Sequence, residues 1–215
     1  MHQASYHETW EISEKLNRMG LSADILQSAV ETGELYRSSC TLNDPKSLAG
    51  TLAWGRAMRT LREKLIPRGW ERIDILNSPM VLNRERGIAI VVSSGDEATG
   101  NAVLVAKTKY KKRRAAEVVI IKNLTQLLLP TFDIEEPTSS NTSGNDFVTW
   151  FLLVSRQGEE VFFELSLPNK FVHGQPIESW AERIIFPSFK LQGPSDSKYD
   201  DSFEEEINVE ISRKM

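Results

Sequence analysis

The chain has 215 residues, 26 Lys and Arg against 30 Asp and Glu, and a net charge of −4. That length allows a sizeable buried core, in one large domain or two small ones, and the charge balance excludes a global basic field that would draw in nucleic acid. One cysteine, Cys40, excludes an internal disulfide framework, and no apolar run approaches the ~18 residues needed to span a bilayer.

Residues 1–20 lack the apolar stretch of a secretory signal, so the expectation is a cytoplasmic protein away from membranes. Over 7–19, Trp10, Ile12, Leu16 and Met19 recur at helical spacing, and Gly20 stops that helix. Ser22 is placed to cap a second helix over 22–32, with Ile25, Leu26, Ala29 and Val30 on one face and Gly33 at its end. Asn43-Asp44-Pro45 marks a turn inside the loop 38–46. The longest helix runs from Ser47 to about Leu65 or Ile66. Its apolar stripe is Trp54, Ala57, Met58, Leu61 and Leu65, and Pro67 and Gly69 close it.

The hydrophobic period then changes from helix to strand. Segments 70–76, 80–82, 87–92, 101–106 and 117–121 read as strands rich in Val and Ile. Residues 133–146 are a Ser, Thr and Asn-rich loop or linker. Two apolar runs flanking Arg156-Gln157-Gly158-Glu159 predict a β-hairpin over 147–167, and 180–189 predicts a further strand. Residues 193–206 are acidic and poor in apolar groups, and INVEIS at 207–212 reads as a strand or a loose end. The predicted organisation is α+β: N-terminal helices (1–68) packed on a mainly antiparallel sheet (69–192) as one integrated domain, followed by an acidic tail (193–215).

Three constellations bear on function. The first is Gly95-Asp96-Glu97, directly after a buried strand. In outline a long helix, strands and then an Asp at a strand end resembles metal-dependent nucleases of the PD-(D/E)xK type, which would make Asp96 and Glu97 metal ligands. The next strand-like segment departs from that pattern: Ala106-Lys107-Thr108-Lys109 has no acid two positions before either lysine. The plainer expectation is a turn in which Asp96 bonds its own backbone. The second is the helix pair over 7–36, which has the rhythm of a helix-turn-helix DNA-binding regulator. From Met19 to Tyr36 it carries Asp24, Glu31 and Glu34 and no Lys or Arg, which is unfavourable for phosphate contact. The third is the dense basic run Lys107, Lys109, Lys111, Lys112, Arg113 and Arg114, with Tyr110 among them, suited to gripping phosphates while the tyrosine stacks on a base. A further basic strip, Arg56, Arg59, Arg62, Arg68 and Arg72, lies on and after the long helix.

The predicted hairpin is apolar on both faces, so it is either covered on each side or an interface; Trp150, Phe151, Phe163 and Trp180 are the interface candidates. Neither the three histidines nor the lone cysteine has partners at metal-ligand spacing, and no phosphate loop or nucleophile elbow is present, so no metal or organic cofactor is expected. The expectation is a non-enzymatic binding or accessory protein acting on a protein partner or on nucleic acid phosphates. The nuclease and the helix-turn-helix regulator are the alternatives.

Overall fold

A computed structural model describes residues 3–75, 78–110, 147–170, 172 and 174–191. Among the described residues, three helices precede the main body of a mixed, mostly antiparallel sheet of eight strands, an α+β fold. The predicted strand 117–121, the Ser/Thr/Asn-rich stretch 133–146 and the acidic tail from 193 lie outside the described residues.

Helix α1 (Thr9–Met19) buries Ile12, Leu16 and Met19. It ends at Gly20, whose φ of 69° is left-handed, and the Gly20 and Leu21 N–H groups return to the carbonyls of Asn17 and Leu16. Helix α2 (Ala23–Ser38) departs from expectation at both ends. Ser22 holds the cap position without a side-chain cap bond, and the helix passes through Gly33 instead of stopping there. The reason is tertiary: a Cβ at position 33 would lie 2.5 Å from the Ala53 carbonyl oxygen, so this glycine lets α2 cross closely over α3 (Leu48–Leu65). Ala53 and Ala57 line the same crossing, which leaves no place there for an indole. Trp54 falls about 100° round the helix from Ala53 and stands 40% exposed, while Trp10 is 66% exposed, so neither joins the apolar face to which its spacing assigned it. A 3₁₀ turn over Ile66–Arg68 and Gly69 at φ 83° end α3 as expected.

The strands are β1 (Ala4–Tyr6), β2 (Glu71–Ile75), β3 (Ser78–Asn83), β4 (Ile88–Ser94), β5 (Val148–Gln157), β6 (Glu160–Pro168), β7 (Trp180–Ile185) and β8 (Phe189–Lys190). Their order is β1-β7-β6-β5-β4-β3-β2, with β8 also on β6. Among the described strands, only β1 with β7 and β4 with β5 are parallel. The β5–β6 hairpin pairs Gln157 with Glu160 across a two-residue turn that begins at Gly158, φ 63°. The predicted strand 180–189 is two strands, because Pro187 interrupts it and β8 pairs with β6 instead of extending β7.

Residues 101–106 form no strand. Their polar backbone is answered otherwise: the Asn101 side chain accepts from the N–H groups of Val103 and Leu104, and the carbonyls of Asn101 and Leu104 accept from Arg183. With no ladder to join, Val103, Leu104 and Val105 stay exposed at 89, 55 and 46%.

The sheet is covered on both faces. On the helical side Ile90, Val92, Trp150, Leu152, Phe163 and Leu165 share one core cluster with Leu16, Leu26 and Leu61. On the other, Val91, Phe151, Leu153 and Trp180 cluster with Met80 and Ala106. The alternation along β4 and β5 sends successive apolar side chains to opposite cores, which is why both strands read as continuous apolar runs. Trp150, Phe151, Phe163 and Trp180, the interface candidates, are thus core side chains between 1 and 3% exposed, inaccessible to a partner unless the sheet opens.

Candidate functional site

The chain leaves β4 at Ser94 and folds back on itself. Gly95 N–H donates to the Val154 carbonyl at 2.8 Å, which keeps the new segment beside β5. Asp96 then closes the turn: its Oδ1 accepts from the N–H groups of Ala98 at 3.2 Å and Lys107 at 3.0 Å, while its own N–H donates to the Lys107 carbonyl at 2.9 Å. Lys109 N–H donates to the Ser94 carbonyl at 3.0 Å. Glu97 is exposed at the tip, and its carbonyl accepts from Gln157 Nε2 at 2.8 Å. Glycine at position 95 lets the turn close tightly, since a Cβ there would stand 2.0 Å from Thr99 Oγ1 and force that side chain to shift.

Beyond the turn, residues 99–108 form a strap across the sheet, fastened at three points. Glu164 on β6 and Arg183 on β7 make a bidentate ion pair, 2.9 Å from Nε to Oε1 and 2.6 Å from Nη2 to Oε2, with exposures of 0 and 1%. Gly100 N–H donates to the Glu164 carboxylate at 2.9 Å, and Arg183 reaches the carbonyls of Leu104 at 2.8 Å and Asn101 at 3.0 Å. The Trp180 indole N–H donates to the Ala106 carbonyl at 2.7 Å, and Thr108 exchanges bonds of 2.9 Å with the Ile177 backbone. The strap thereby fixes where Lys107, Lys109 and Tyr110 emerge. Thr108 is buried and the two lysines are exposed, as strand-like alternation requires.

Lys107 turns toward Glu178, with Nζ at 2.8 Å, and that hydrogen bond holds its ammonium pKa above the ordinary lysine range. Lys109 and Tyr110 instead line a cleft of about 580 Å³, together with Asp96 and Glu97, Arg37 from the last turn of α2 and Arg156 from the end of β5. Arg156 is held by Ser38 Oγ and the Gly158 carbonyl, each at 3.0 Å. Behind both arginines sits Glu34, 2% exposed, with Arg37 Nε 3.1 Å and Arg156 Nη1 4.0 Å from its Oε2. This carboxylate orients two guanidinium groups from separate elements. Sequence reasoning missed it, although Glu34 stands four residues after the buried Val30, on the inward stripe of α2.

The remaining candidates fall as follows. Lys111, Lys112, Arg113 and Arg114 lie outside the described residues. Asp96 and Glu97 share the cleft wall, but among the described residues no three His, Cys, Asp or Glu side chains are grouped so as to hold a metal ion. On α2 the outer face presents Asp24 and Glu31. No described helix is long and apolar enough to cross a membrane. Comparison with protein-family models, with curated proteins and with solved structures finds no match to this chain.

Proposed function

We propose that the chain is a cytoplasmic, non-enzymatic binding protein that grips the phosphate backbone of nucleic acid at the cleft beyond β4. One observation supports the reading above the others. Lys109 and Tyr110 come to the same cleft as Arg37 and Arg156, four donors or stacking groups from three separate segments. The chain next to Tyr110 continues as Lys111-Lys112-Arg113-Arg114. Clustered cations supply affinity without sequence readout, which suits an accessory role. The lone thiol agrees with a reducing compartment.

The test is a binding titration of labelled nucleic acid at two salt concentrations with Mg²⁺ present and product lengths read on a gel. Salt-sensitive binding without cleavage is expected. Cleavage would instead favour the nuclease alternative, with Asp96 and Glu97 as ligands. The helix-turn-helix alternative sets Asp24 and Glu31 against phosphates and predicts sequence-selective duplex binding. A protein partner is favoured by a separate observation, the exposed Val103-Leu104-Val105 on the strap, and is the working reading if no nucleic acid binds.

A further inference from the structure

The cleft at Lys109 is one of three neighbouring depressions that form a surface track. A narrow hollow on the α2–α3 seam shares Arg37, Ser94 and Val154 with that cleft and shares Trp54 with a third hollow, of about 530 Å³. The third runs along the outer side of α3, from Trp54 past Met58 to Ile66 and Pro67, and is closed by Arg72 and Pro79 of the edge hairpin. The two roomy hollows share no lining residue; the seam between them holds only about 20 Å³, so a ligand reaching from Tyr110 to Arg72 passes over that seam on the surface.

The hollow along α3 sets one flat ring, Trp54, among the cations Arg59, Arg62 and Arg72, with a second ring, Tyr36, outside its walls. Trp54 is 40% exposed and Tyr36 37%, and the Arg56 guanidinium lies 4.2 Å from the Tyr36 ring centroid. Arg59 is answered by Glu63 at 2.7 Å, and Arg62 by Asp74 at 2.8 Å and the carbonyls of Ile73 and Met80. The Arg72 guanidinium is exposed and makes no ion pair among the described residues. An indole at this exposure in one hollow with the exposed Arg72 guanidinium is poorly suited to water and well suited to a ligand with both an apolar face and a negative charge.

We propose that this track takes single-stranded nucleic acid, with a base stacked on Trp54 and backbone phosphates at Arg72 and at the Lys109 cleft. The inference rests on the phosphate-binding reading of that cleft and extends it. A duplex hides its base faces, so Trp54 has nothing to stack on; an unpaired strand offers a π-face at every nucleotide. The reach agrees: Trp54 to Ile66 along α3 spans about 18 Å at 1.5 Å per residue, so a strand filling both hollows falls inside the ~4–16 nucleotides usual for single-strand sites.

The experiment uses the full chain and a fluorescent oligothymidylate of about 12 nucleotides, a length within that usual range, read by anisotropy against a duplex of equal length. Expected are tighter binding of the single strand, a loss of about 5-fold or more in Trp54→Ala with recovery in Trp54→Phe, and a salt slope lower by about 1 in Arg72→Ala. Both positions are exposed, and thermal melting verifies that the variants fold. If Trp54→Ala and Arg72→Ala bind like wild type while Lys109→Ala binds more weakly, the track is overturned and the cleft reading stands. If the wild-type chain binds no oligonucleotide, both are overturned. Equal affinity for poly-glutamate would make the surface one for acidic protein and would also overturn the proposal.

Discussion

Arg183→Met is the most informative perturbation of the fold, because one side chain joins β6, β7 and the strap. Its guanidinium makes two bonds to Glu164 and two to strap carbonyls, and both members of the pair are inaccessible to water. Methionine fills most of the volume but leaves the Glu164 carboxylate with only Ser166 Oγ at 2.7 Å and Gly100 N–H at 2.9 Å. Removing one partner of a buried pair costs about 3–5 kcal/mol, since the desolvated charge that remains is the expensive part. The carbonyls of Asn101 and Leu104 sit on exposed residues where water can replace the guanidinium, so they add little. At roughly 2–4 °C per kcal/mol for a chain of this size, Tm should fall by about 6–20 °C. Urea unfolding and calorimetry measure the loss, and hydrogen exchange at the Gly100 amide reports whether the strap loosens first. The double variant Glu164→Met with Arg183→Met removes both charges and should be more stable than Arg183→Met alone. A single variant within about 1 kcal/mol of wild type, or a double variant no better than the single, would refute the reasoning.

Asp96 distinguishes a turn acceptor from a metal ligand. Asp96→Asn keeps an oxygen for the N–H groups of Ala98 and Lys107 and should bind nucleic acid much as wild type does, whereas Asp96→Ala loses about 1–2 kcal/mol and several-fold in affinity as Lys109 shifts; equal damage from both variants in the binding titration would contradict this. Gly95→Ala drives a Cβ to 2.0 Å from Thr99 Oγ1 and should cost about 1–3 kcal/mol, part of it recovered by adding Thr99→Ala, as a double-mutant cycle by urea unfolding would reveal. Burial and the Asp44 carboxylate push the Cys40 thiol above its ordinary 9.0, against a weaker pull downward from Arg37. The folded chain therefore keeps that proton to higher pH than the unfolded chain. This contribution to stability is intact below pH 9.0 and is lost as pH rises through the folded value, so the wild-type urea midpoint should fall more steeply than that of Cys40→Ala in alkali.

The fold was legible wherever a local period governs it. The switch from helical to alternating apolar spacing after Gly69 is the real boundary between α3 and β2, and Gly158 marks the hairpin turn. What was not legible depends on a distant partner. Gly33 reads as a stop until the Ala53 carbonyl is known to lie against it. Asn101 to Ala106 has the composition of a strand, yet Arg183 takes the carbonyls that a neighbouring strand would need. Three residues at β1 carry no period at all, and only the edge of β7 makes them a strand.

The same distinction explains the site. The Asx turn at Asp96 is local chemistry, and Gly95-Asp96 announces it. The cleft is not local: it needs Arg37 from the end of α2, Arg156 from the end of β5 and a buried Glu34 to aim them, positions more than a hundred residues apart in the case of the two arginines. The carboxylate and the basic run, eleven residues apart in the chain, looked like rival candidates for one function. In the fold Asp96 and the described start of that run, Lys107 to Tyr110, belong together, because the carboxylate of Asp96 accepts the Lys107 N–H and so sets the direction in which Lys109 and Tyr110 leave the strap. An acid beside a basic cleft then needs no catalytic role to account for it: its charge is engaged by backbone N–H groups, and the cations it positions face the solvent.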